Sequence, residues 1–548
     1  MNKTTFIIPV YGLPGLLTTC LSTLRKYMRY VPVIVIDDGG PQEKEIKDIC
    51  NNYNAQYIRK KNGGFASAVN VGIAASVTEY FCLVNSDIEF TKPLNDIIQR
   101  TFEEDPDIKV LGGLLLYPDG TIQHGGGYYH YIFQGFAHYG HHKPLHAAKL
   151  CGIKAHRIHV TGALFASRRF FWEDYKFDET FVSDSEDADY CLEVWKRGGK
   201  VLYDPEFTAI HAEGKTRGST EAEKMKLDPV RSQRMVDSLY EFRKRLYHTD
   251  LEKIDDRINE LNEKLHPELP KAFVRDWAMG DVLRSLKIYQ RLKEKMIVVT
   301  RWPDVFRDEE VEAIATDRDE YAISRFINLD LAYERHPELS IEEAYCKKSG
   351  LYFEENSIVP LKTNELDWFR VKRLAGCNWD KPFVIVHARQ AQPNRSFPKE
   401  EWANLIQNLV GVGLNVILIG DRNDLVAEGR NVFNLVGKTS IHMIRALCER
   451  AKLFIGMESG PLHIADGICP AIGIFTMTLP EKRYSPAVTP FMTPVSCRGC
   501  LHRAKPPQTD FSCEFGPEDP KQYCCTKTIN SDMVLSLAME VLRKENEK

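Results

Sequence analysis

Phe81, Cys82, Leu83 and Val84 form an apolar run that stops at Asn85, Ser86 and Asp87. A buried strand that ends in a carboxylate puts an oxygen ligand just outside the carboxyl edge of a sheet, where open α/β sheets bind their ligands. Such a carboxylate suits Mg²⁺ or Mn²⁺. Asn, Ser and Asp are also turn residues, so this stretch alone leaves both readings open. Three more stretches lead to the same edge. "IIPVYG" puts Pro9 and Tyr11 at the end of the first strand, and "VIDDGG" puts Asp37 and Asp38 at the end of another. "KKNGGFASAVNVGIAAS" turns through Asn62, Gly63 and Gly64 into a helix that carries Asn70. Together they can build a nucleotide pocket: a carboxylate for base or ribose, a close backbone approach at Gly63-Gly64, and a cation at Asp87 for a diphosphate. Asp37 or Asp38 could equally cap a helix.

The elements that must position these groups are legible as an alternation. "TFIIPV", "VPVIVIDD", "AQYIRK" and "EYFCLVN" are strand-like, while "GLLTTCLSTLRKYM" and "ASAVNVGIAAS" have helical spacing. That pattern predicts βαβ units and a parallel sheet. Residues 110–218 are less regular. Residues 219–270 are heavily charged with spaced Leu, Ile and Met, which predicts a helical connector ended by Pro267 and Pro270. From residue 271 the alternation resumes in two further Rossmann-like halves, 271–375 and 376–548. The expected fold class is α/β throughout.

Further along the first half stand Phe177-Asp178-Glu179, then Glu186-Asp187-Ala188-Asp189, then Gly198-Gly199, then His211, preceded by "LLLYPDGTIQHGGG". In this order they resemble family 2 glycosyltransferases with the GT-A fold, close to the rhamnosyltransferase-like branch. The resemblance implies an inverting transfer from a nucleotide-sugar. It makes Asp187 the base, Asp87 a Mn²⁺ or Mg²⁺ ligand, His211 a second ligand, and Asp37 a nucleotide contact. Asn85-Ser86-Asp87 departs from the family's usual Asp-x-Asp, and Glu89 is a further carboxylate nearby. Read without the resemblance, His211 is a packed histidine, and Glu186 and Asp189 a solvated helix face.

A second constellation begins at "VRDWAMGDVLRSLKIYQRLKEK", where Gly280 and Asp281 open a helix. By itself this is a helix start. It is followed by "NRSFPKEEW" with Arg395, by Gly437-Lys438-Thr439, by "GMESGPLHIAD" with Ser459, Gly460, Pro461 and His463, and by "PEKRYSP". The set resembles family 9 glycosyltransferases, the heptosyltransferase-like enzymes of the GT-B fold. The resemblance implies Asp281 as general base and metal-free donor binding. Gly437, Lys438 and Thr439 would line the donor pocket, and the diphosphate would rest on the Ser459–His463 helix start.

Cys497, Cys500, Cys513 and Cys525, with Cys524 as an alternative, have the look of a thiolate metal site for Zn²⁺ or Fe in a Cys-rich finger. The other nine cysteines are scattered. At 548 residues the chain is too long for one core, and its net charge of −4 carries no basic signature for nucleic acid. It holds no apolar run long enough to span a membrane. "MNKTTFIIPVYG" turns polar too early for a signal peptide, so a cytoplasmic protein is expected, or one peripheral at the inner membrane. The expectation is a two-headed inverting glycosyltransferase. Its donors would be UDP-, dTDP- or GDP-sugars, or an ADP-heptose-like one, and its acceptor is unspecified. The alternative keeps one active head and makes the other a binding module for acceptor or partner.

Overall fold

The computed structural model describes residues 2–130, 135–181, 185–212, 229–276, 278–292, 294–330, 332–336, 338–389, 395–500, 513, 515 and 518–547. The chain divides into two compact units, Met1–Lys271 with Asp317–Arg325, and Ala272–Thr316 with Phe326–Lys548.

In the first unit, β1 (Thr4–Val10), β2 (Val33–Asp37), β3 (Gln56–Arg59) and β4 (Tyr80–Val84) run parallel in the order β3-β2-β1-β4. Both faces of the central strands are covered, which is why they read as near-continuous apolar runs; Phe6, Ile8, Val35 and Cys82 sit in the core beneath. The sheet continues through β5 (Ile88–Phe90), β6 (Ile108–Leu116), β7 (Ile122–His124), β10 (Ala155–His156), β11 (Leu164–Arg168) and β12 (Lys200–His211). A separate hairpin pairs β8 (Gly127–His130) with β9 (Gly135–His138). β11 lies antiparallel between β4 and β6. The stretch 110–218 looked irregular because the long strands β6 and β12 are separated by short ones of mixed direction. In the order β3-β2-β1-β4, connections reverse between β1 and β4, and the crevice outside their carboxyl ends is where such sheets bind ligands.

The expected connector is two helices, Pro229–Tyr247 and Leu251–Leu265, and both belong to the first unit. Arg245 pairs with Asp178 at 2.5 Å and with Asp189 at 3.0 Å. Buried Asn262 accepts from the His156 backbone N–H at 2.7 Å and donates to its carbonyl at 3.1 Å, as a neighbouring strand would. Glu186–Asp189 is therefore no solvated face: Asp189 is buried under Arg245 and Tyr175. Asn70 also differs from the expected pocket role. Its amide donates to the Phe177 carbonyl and to Glu179, and its oxygen accepts from Trp172 Nε1 and the Phe177 N–H. Asn70→Ala would leave several buried partners unsatisfied and should cost about 3 kcal/mol in urea unfolding of the first unit.

The second unit has two sheets. β13 (Lys271–Val274), β14 (Ile297–Val299), β15 (Ala313–Ala315) and β16 (Arg325–Asn328) order as β15-β14-β13-β16. β17 (Phe383–His387), β18 (Asn415–Ile419), β19 (Val432–Asn434), β20 (Leu453–Met457), β21 (Ala471–Phe475) and β22 (Val488–Met492) form an all-parallel sheet, β19-β18-β17-β20-β21-β22. This 3-2-1-4-5-6 order has its switch point between β17 and β20. The two Rossmann-like halves expected here are present, but the segment between β15 and β16 departs from a single cut near residue 270, because Asp317–Arg325 packs with the first unit.

Candidate active sites

The first site lies at the carboxyl ends of β1 and β4. Asp87 Oδ1 stands 3.0 Å from His211 Nε2, although 124 residues separate them. β12 delivers the histidine by pairing antiparallel with β5, His211 opposite Ile88. His211 Nδ1 lies 3.1 Å from Gln123 Oε1, and both residues are buried. With Nδ1–H donating to Gln123 Oε1, an unprotonated Nε2 would face the Asp87 carboxylate. Two such lone-pair donors repel unless a proton or a cation lies between them, and a second partner that fixes the ring is typical of a metal-ligating histidine. Carboxylate plus imidazole fits Mn²⁺. Among the described residues, no group of three or more His, Cys, Asp or Glu is arranged to hold a metal, so further ligands would have to come from substrate phosphate and water. Glu89 is exposed on β5.

Asp187 opens the helix Glu186–Lys196, which follows Ser185 in a left-handed conformation, φ 71°. Its Oδ2 accepts from the Gly162 N–H at 2.6 Å and its Oδ1 from the Ala188 N–H at 2.7 Å. The adjacent Ala163 carbonyl accepts from the Asn85 N–H at 3.0 Å. One backbone segment thus ties Asp187 to the strand end that carries Asp87. Tyr11 is half-exposed at the same edge, next to Pro9 at the end of β1.

Asp37 and Asp38 do other work than an open pocket would ask of them. Asp37 is fully buried; it accepts from the Gly40 N–H, the Tyr57 hydroxyl and Arg59. Asp38 accepts from Lys60 at 2.8 Å and from the N–H groups of Gly63 and Gly64 at 3.0 and 2.9 Å. It therefore shapes the turn that enters helix Phe65–Ala75. Gly64 sits there at φ 88°, a conformation that favours glycine; Asn62 and Gly63 are exposed beside it.

Behind His211 lies a histidine cluster that sequence reading missed. The rings of His124 and His138 are 4.4 Å apart, and His159 stacks on Phe136 at 4.4 Å. Burial pushes His124 well below the ordinary value of 6.5, with His138, His159 and Arg157 adding to it; burial, then His138, does the same to His159. Below pH 6.5 the unfolded chain takes up these protons and the folded one does not. Stability should therefore be full above about pH 6.5 and fall on acidification, by up to about 1.4 kcal/mol per pH unit for each histidine. Thermal unfolding between pH 7.5 and 5.5 measures this slope, and His159→Phe should flatten it.

In the second unit Asp281 is buried at the start of helix Met279–Arg291, which follows Ala278 at φ 58°. Both candidate bases thus follow a strained, non-glycine, left-handed residue, a feature that clusters at functional sites. Asp281 Oδ2 lies 2.6 Å from Arg275 and accepts from the Tyr333 hydroxyl at 3.2 Å; its Oδ1 is 3.6 Å from Arg483. Arg483 also reaches Glu458 at 3.4 Å, and Arg395 reaches the other Glu458 oxygen at 2.8 Å. Burial pushes Glu458 up, but Arg395 and Arg483 outweigh it and hold the carboxyl below its usual value. Arg389, just past β17, is lowered by burial and by Arg395 beside it. Three arginines thus crowd one glutamate outside β17 and β20, at the switch point. Of these only Arg395 was expected; Arg389 in "VIVHARQ" follows a strand end, a signal that could have found it.

The Ser459–His463 turn is closed over. Helix Gly460–Ala465 is only six residues long and fully buried. His463 stacks on Tyr484 at 4.2 Å, accepts from Arg284 Nε at 2.9 Å, and lies against Gly280, where a Cβ would come within 2.6 Å of the ring. Burial, then Arg284, keeps it well below the ordinary histidine value. Ser459 Oγ contacts His387 Nδ1 at 2.9 Å. Gly460 and Pro461 pack inside, so this turn differs from the open diphosphate cradle expected of it. Gly437, Lys438 and Thr439 lie beside the end of β18, where the Gly437 N–H donates to the Gly420 carbonyl at 2.8 Å; β17 stands between them and Glu458 in the sheet.

The five cysteines of the expected set, Cys524 included, lie near one another. Cys497 Sγ faces Cys524 Sγ at 3.8 Å, and Cys513 Sγ accepts from the Tyr523 N–H at 3.4 Å. Burial pushes the Cys525 thiol up to about 12, with Cys497, Cys524, Cys500 and Cys513 close enough to add to it. Soft thiolates suit Zn²⁺ or Fe, and Cys524, the alternative to Cys525 in the expected set, is the one that faces Cys497; among the described residues no group of three or more His, Cys, Asp or Glu is arranged to hold a metal.

No described helix is long and apolar enough to cross a membrane. Residues 5–153 match the model of glycosyl transferase family 2, and residues 311–509 that of glycosyltransferase family 9 (heptosyltransferase). The first match ends before Asp187 and His211, and the second begins after Asp281. Glycosyltransferase GlyG of Streptococcus pneumoniae is 27% identical over 134 residues, 23% of this chain and 42% of that protein. Lipopolysaccharide heptosyltransferase 3 of Escherichia coli is 29% identical over 123 residues, 20% of this chain and 36% of that protein. The iron-containing dodecameric glycosyltransferase TibC of enterotoxigenic E. coli aligns with a TM-score of 0.41 at 16% identity, over 51% of this chain and 80% of that one. The chain spans less than half the length of either curated relative. The chain thus carries, one after the other, a match to a family 2 glycosyltransferase model and a match to a family 9 glycosyltransferase model.

Proposed function

We propose that the chain is a two-headed inverting glycosyltransferase that takes two nucleotide-sugar donors to one acceptor. The observation that carries this reading is the Asp87–His211 pair tied through Asn85, Ala163 and Gly162 to Asp187. At the first head, Asp187 takes the proton of the acceptor hydroxyl as that oxygen attacks the anomeric carbon, and the nucleoside diphosphate leaves from the opposite side. The backbone N–H groups of Gly162 and Ala188 hold the carboxylate in place for this. Asp87 and His211 would hold Mn²⁺, which when bound neutralises charge on the departing diphosphate. Asp38 fixes the shape of the Gly63-Gly64 turn beside the donor site by accepting from both N–H groups.

At the second head, Arg389, Arg395 and Arg483 stand at the switch point where a diphosphate would bind, with Glu458, Asp281 and Asp424 drawing on their charge. Burial and a neighbouring guanidinium both disfavour the Arg389 cation, and a bound anion relieves both. Gly437–Thr439 would line the nucleotide side. Asp281 is the base here, and Asp281→Asn should lower second-head turnover by about 10²-fold. A second reading has its own support: Arg275, Arg483 and Tyr333 already occupy the Asp281 oxygens and compete with an acceptor proton. If Asp281→Asn leaves every donor's turnover unchanged, the second head is a binding module. The test is the full chain incubated with UDP-, dTDP-, GDP- and ADP-sugars, with nucleoside diphosphate release and product mass as readouts. Acceptors open to such a screen include polysaccharide, lipid-linked oligosaccharide and protein.

A further inference from the structure

The segment Asp317–Arg325 forms a strap on the first unit. Its centre is Asp319, which is buried. Asp319 Oδ2 accepts from the Gly140 N–H at 2.7 Å, and its Oδ1 pairs with Lys143 at 2.7 Å. Its backbone carbonyl accepts from the Leu150 N–H at 3.1 Å. Asp317 reaches the same Lys143 at 2.8 Å. Further on, the Ser324 hydroxyl donates to the Leu269 carbonyl at 3.0 Å, and Arg325 pairs with Glu263 at 2.9 Å. The Asp319 contacts are charge-assisted and sheltered from water, the strong kind.

The turn that Asp319 holds is the backbone partner of β7. The Ile122 N–H donates to the Lys143 carbonyl at 2.8 Å, and the His142 N–H to the Ile122 carbonyl at 2.8 Å. The pairing runs on through Gly125 N–H to the Tyr139 carbonyl at 3.1 Å and Tyr139 N–H to the Gly126 carbonyl at 3.0 Å. Between these bonds sits Gln123, whose Oε1 fixes His211 opposite Asp87. Few contacts therefore separate the strap from the first site: Asp319, the 140–143 turn, β7, Gln123, His211.

We infer that Asp319 is a positioning residue of the first head, and that a strap encoded within the second half of the chain sets the His211 ring against Asp87. The inference rests on the reading of Asp87 and His211 as a cation pair only for its metal arm.

The test uses the full chain with Asp319→Ala and Asp319→Asn. Hydrogen exchange is followed by mass spectrometry, and Mn²⁺ binding in the presence of UDP or GDP by loss of the free-ion EPR signal. In Asp319→Ala, peptides covering 120–126, 139–143 and 207–212 should exchange about tenfold faster, and those of β2 should not change. Mn²⁺ should bind about tenfold more weakly. Asp319→Asn should fall between, since its amide oxygen still accepts from Gly140; it carries the test if the alanine protein does not fold. Loosening confined to 139–143, with 207–212 at the wild-type rate, would make the strap a loop anchor and overturn the inference. Unchanged exchange at 139–143 would overturn it too. If the wild-type protein binds no Mn²⁺, the cation reading falls by itself, and exchange at 207–212 alone decides the role of Asp319.

Discussion

Asp187→Asn should lower turnover of the first head by roughly 10²- to 10⁴-fold, the range of a lost general base. The substitution is nearly isosteric. Asn Oδ1 can still accept from one of the Gly162 and Ala188 N–H groups, but its NH₂ then faces the other, so an unchanged thermal unfolding curve is the control that assigns the loss to chemistry. What is lost is the ability to take the acceptor proton. The effect should fall on kcat more than on KM, because the base acts on the hydroxyl during attack and contributes little to donor binding. Donors used by the second head should turn over at the wild-type rate. Nucleoside diphosphate release from each donor, measured on the same preparation, reads both heads at once. Wild-type turnover of the first head's donor would remove Asp187 from the chemistry.

Chelation has the second large expected effect. EDTA should abolish transfer by the first head, where Asp87 and His211 face each other at 3.0 Å, and should spare the second, where arginines surround the switch point. Asp87→Ala should copy that loss, by about 10³-fold or more, because one of two protein ligands disappears and the other cannot hold a hard cation alone. Folding should be little affected, since the carboxylate lies at a strand mouth. The cysteine cluster must be controlled for, because a chelator could also strip a thiolate-bound ion. Brief EDTA followed by Mn²⁺ separates the two: Mn²⁺ should restore the first head, whereas it is a poor partner for thiolates. Full first-head transfer by Asp87→Ala in metal-free buffer would return Asn85-Ser86-Asp87 to a simple turn.

The sequence carried some of this site and not the rest, and the difference is physical. A buried parallel strand must be apolar on both faces, so its polar end is visible as a break; Asp87, Asp37 and Asp38 all announce themselves that way. The partners of those carboxylates do not. Asp37 is closed off by Tyr57 and Arg59, and Asp38 is bound to Lys60, because β3 lies beside β2. No local pattern shows that adjacency. His211 was reachable only through a family order of motifs, since β12 must cross the sheet to bring it to Asp87. In the second unit the repeating strand–helix pattern predicted two Rossmann-like halves correctly. It could not show that Gly280 and Gly460 let two helix starts pack closely enough to bury His463. The strap was invisible for the same reason: nothing in "TDRDEYAISR" distinguishes a loop that stays home from one that packs elsewhere.

That strap also imposes an order in time. Chains are made at about 5–20 residues per second, and domains tend to close N-terminal first. The first unit cannot close when Lys271 emerges, because its last piece begins at Asp317. For roughly 2–9 s of further synthesis, the 140–143 turn and Lys143 wait without Asp319. During that interval Ala272–Thr316, the opening strands of the other unit, is emerging. The nascent chain must therefore hold an unfinished first unit together with a half-made second one, and a pause in translation while residues 272–325 are leaving the ribosome would prolong that exposure, whereas a pause after residue 325 has emerged would not.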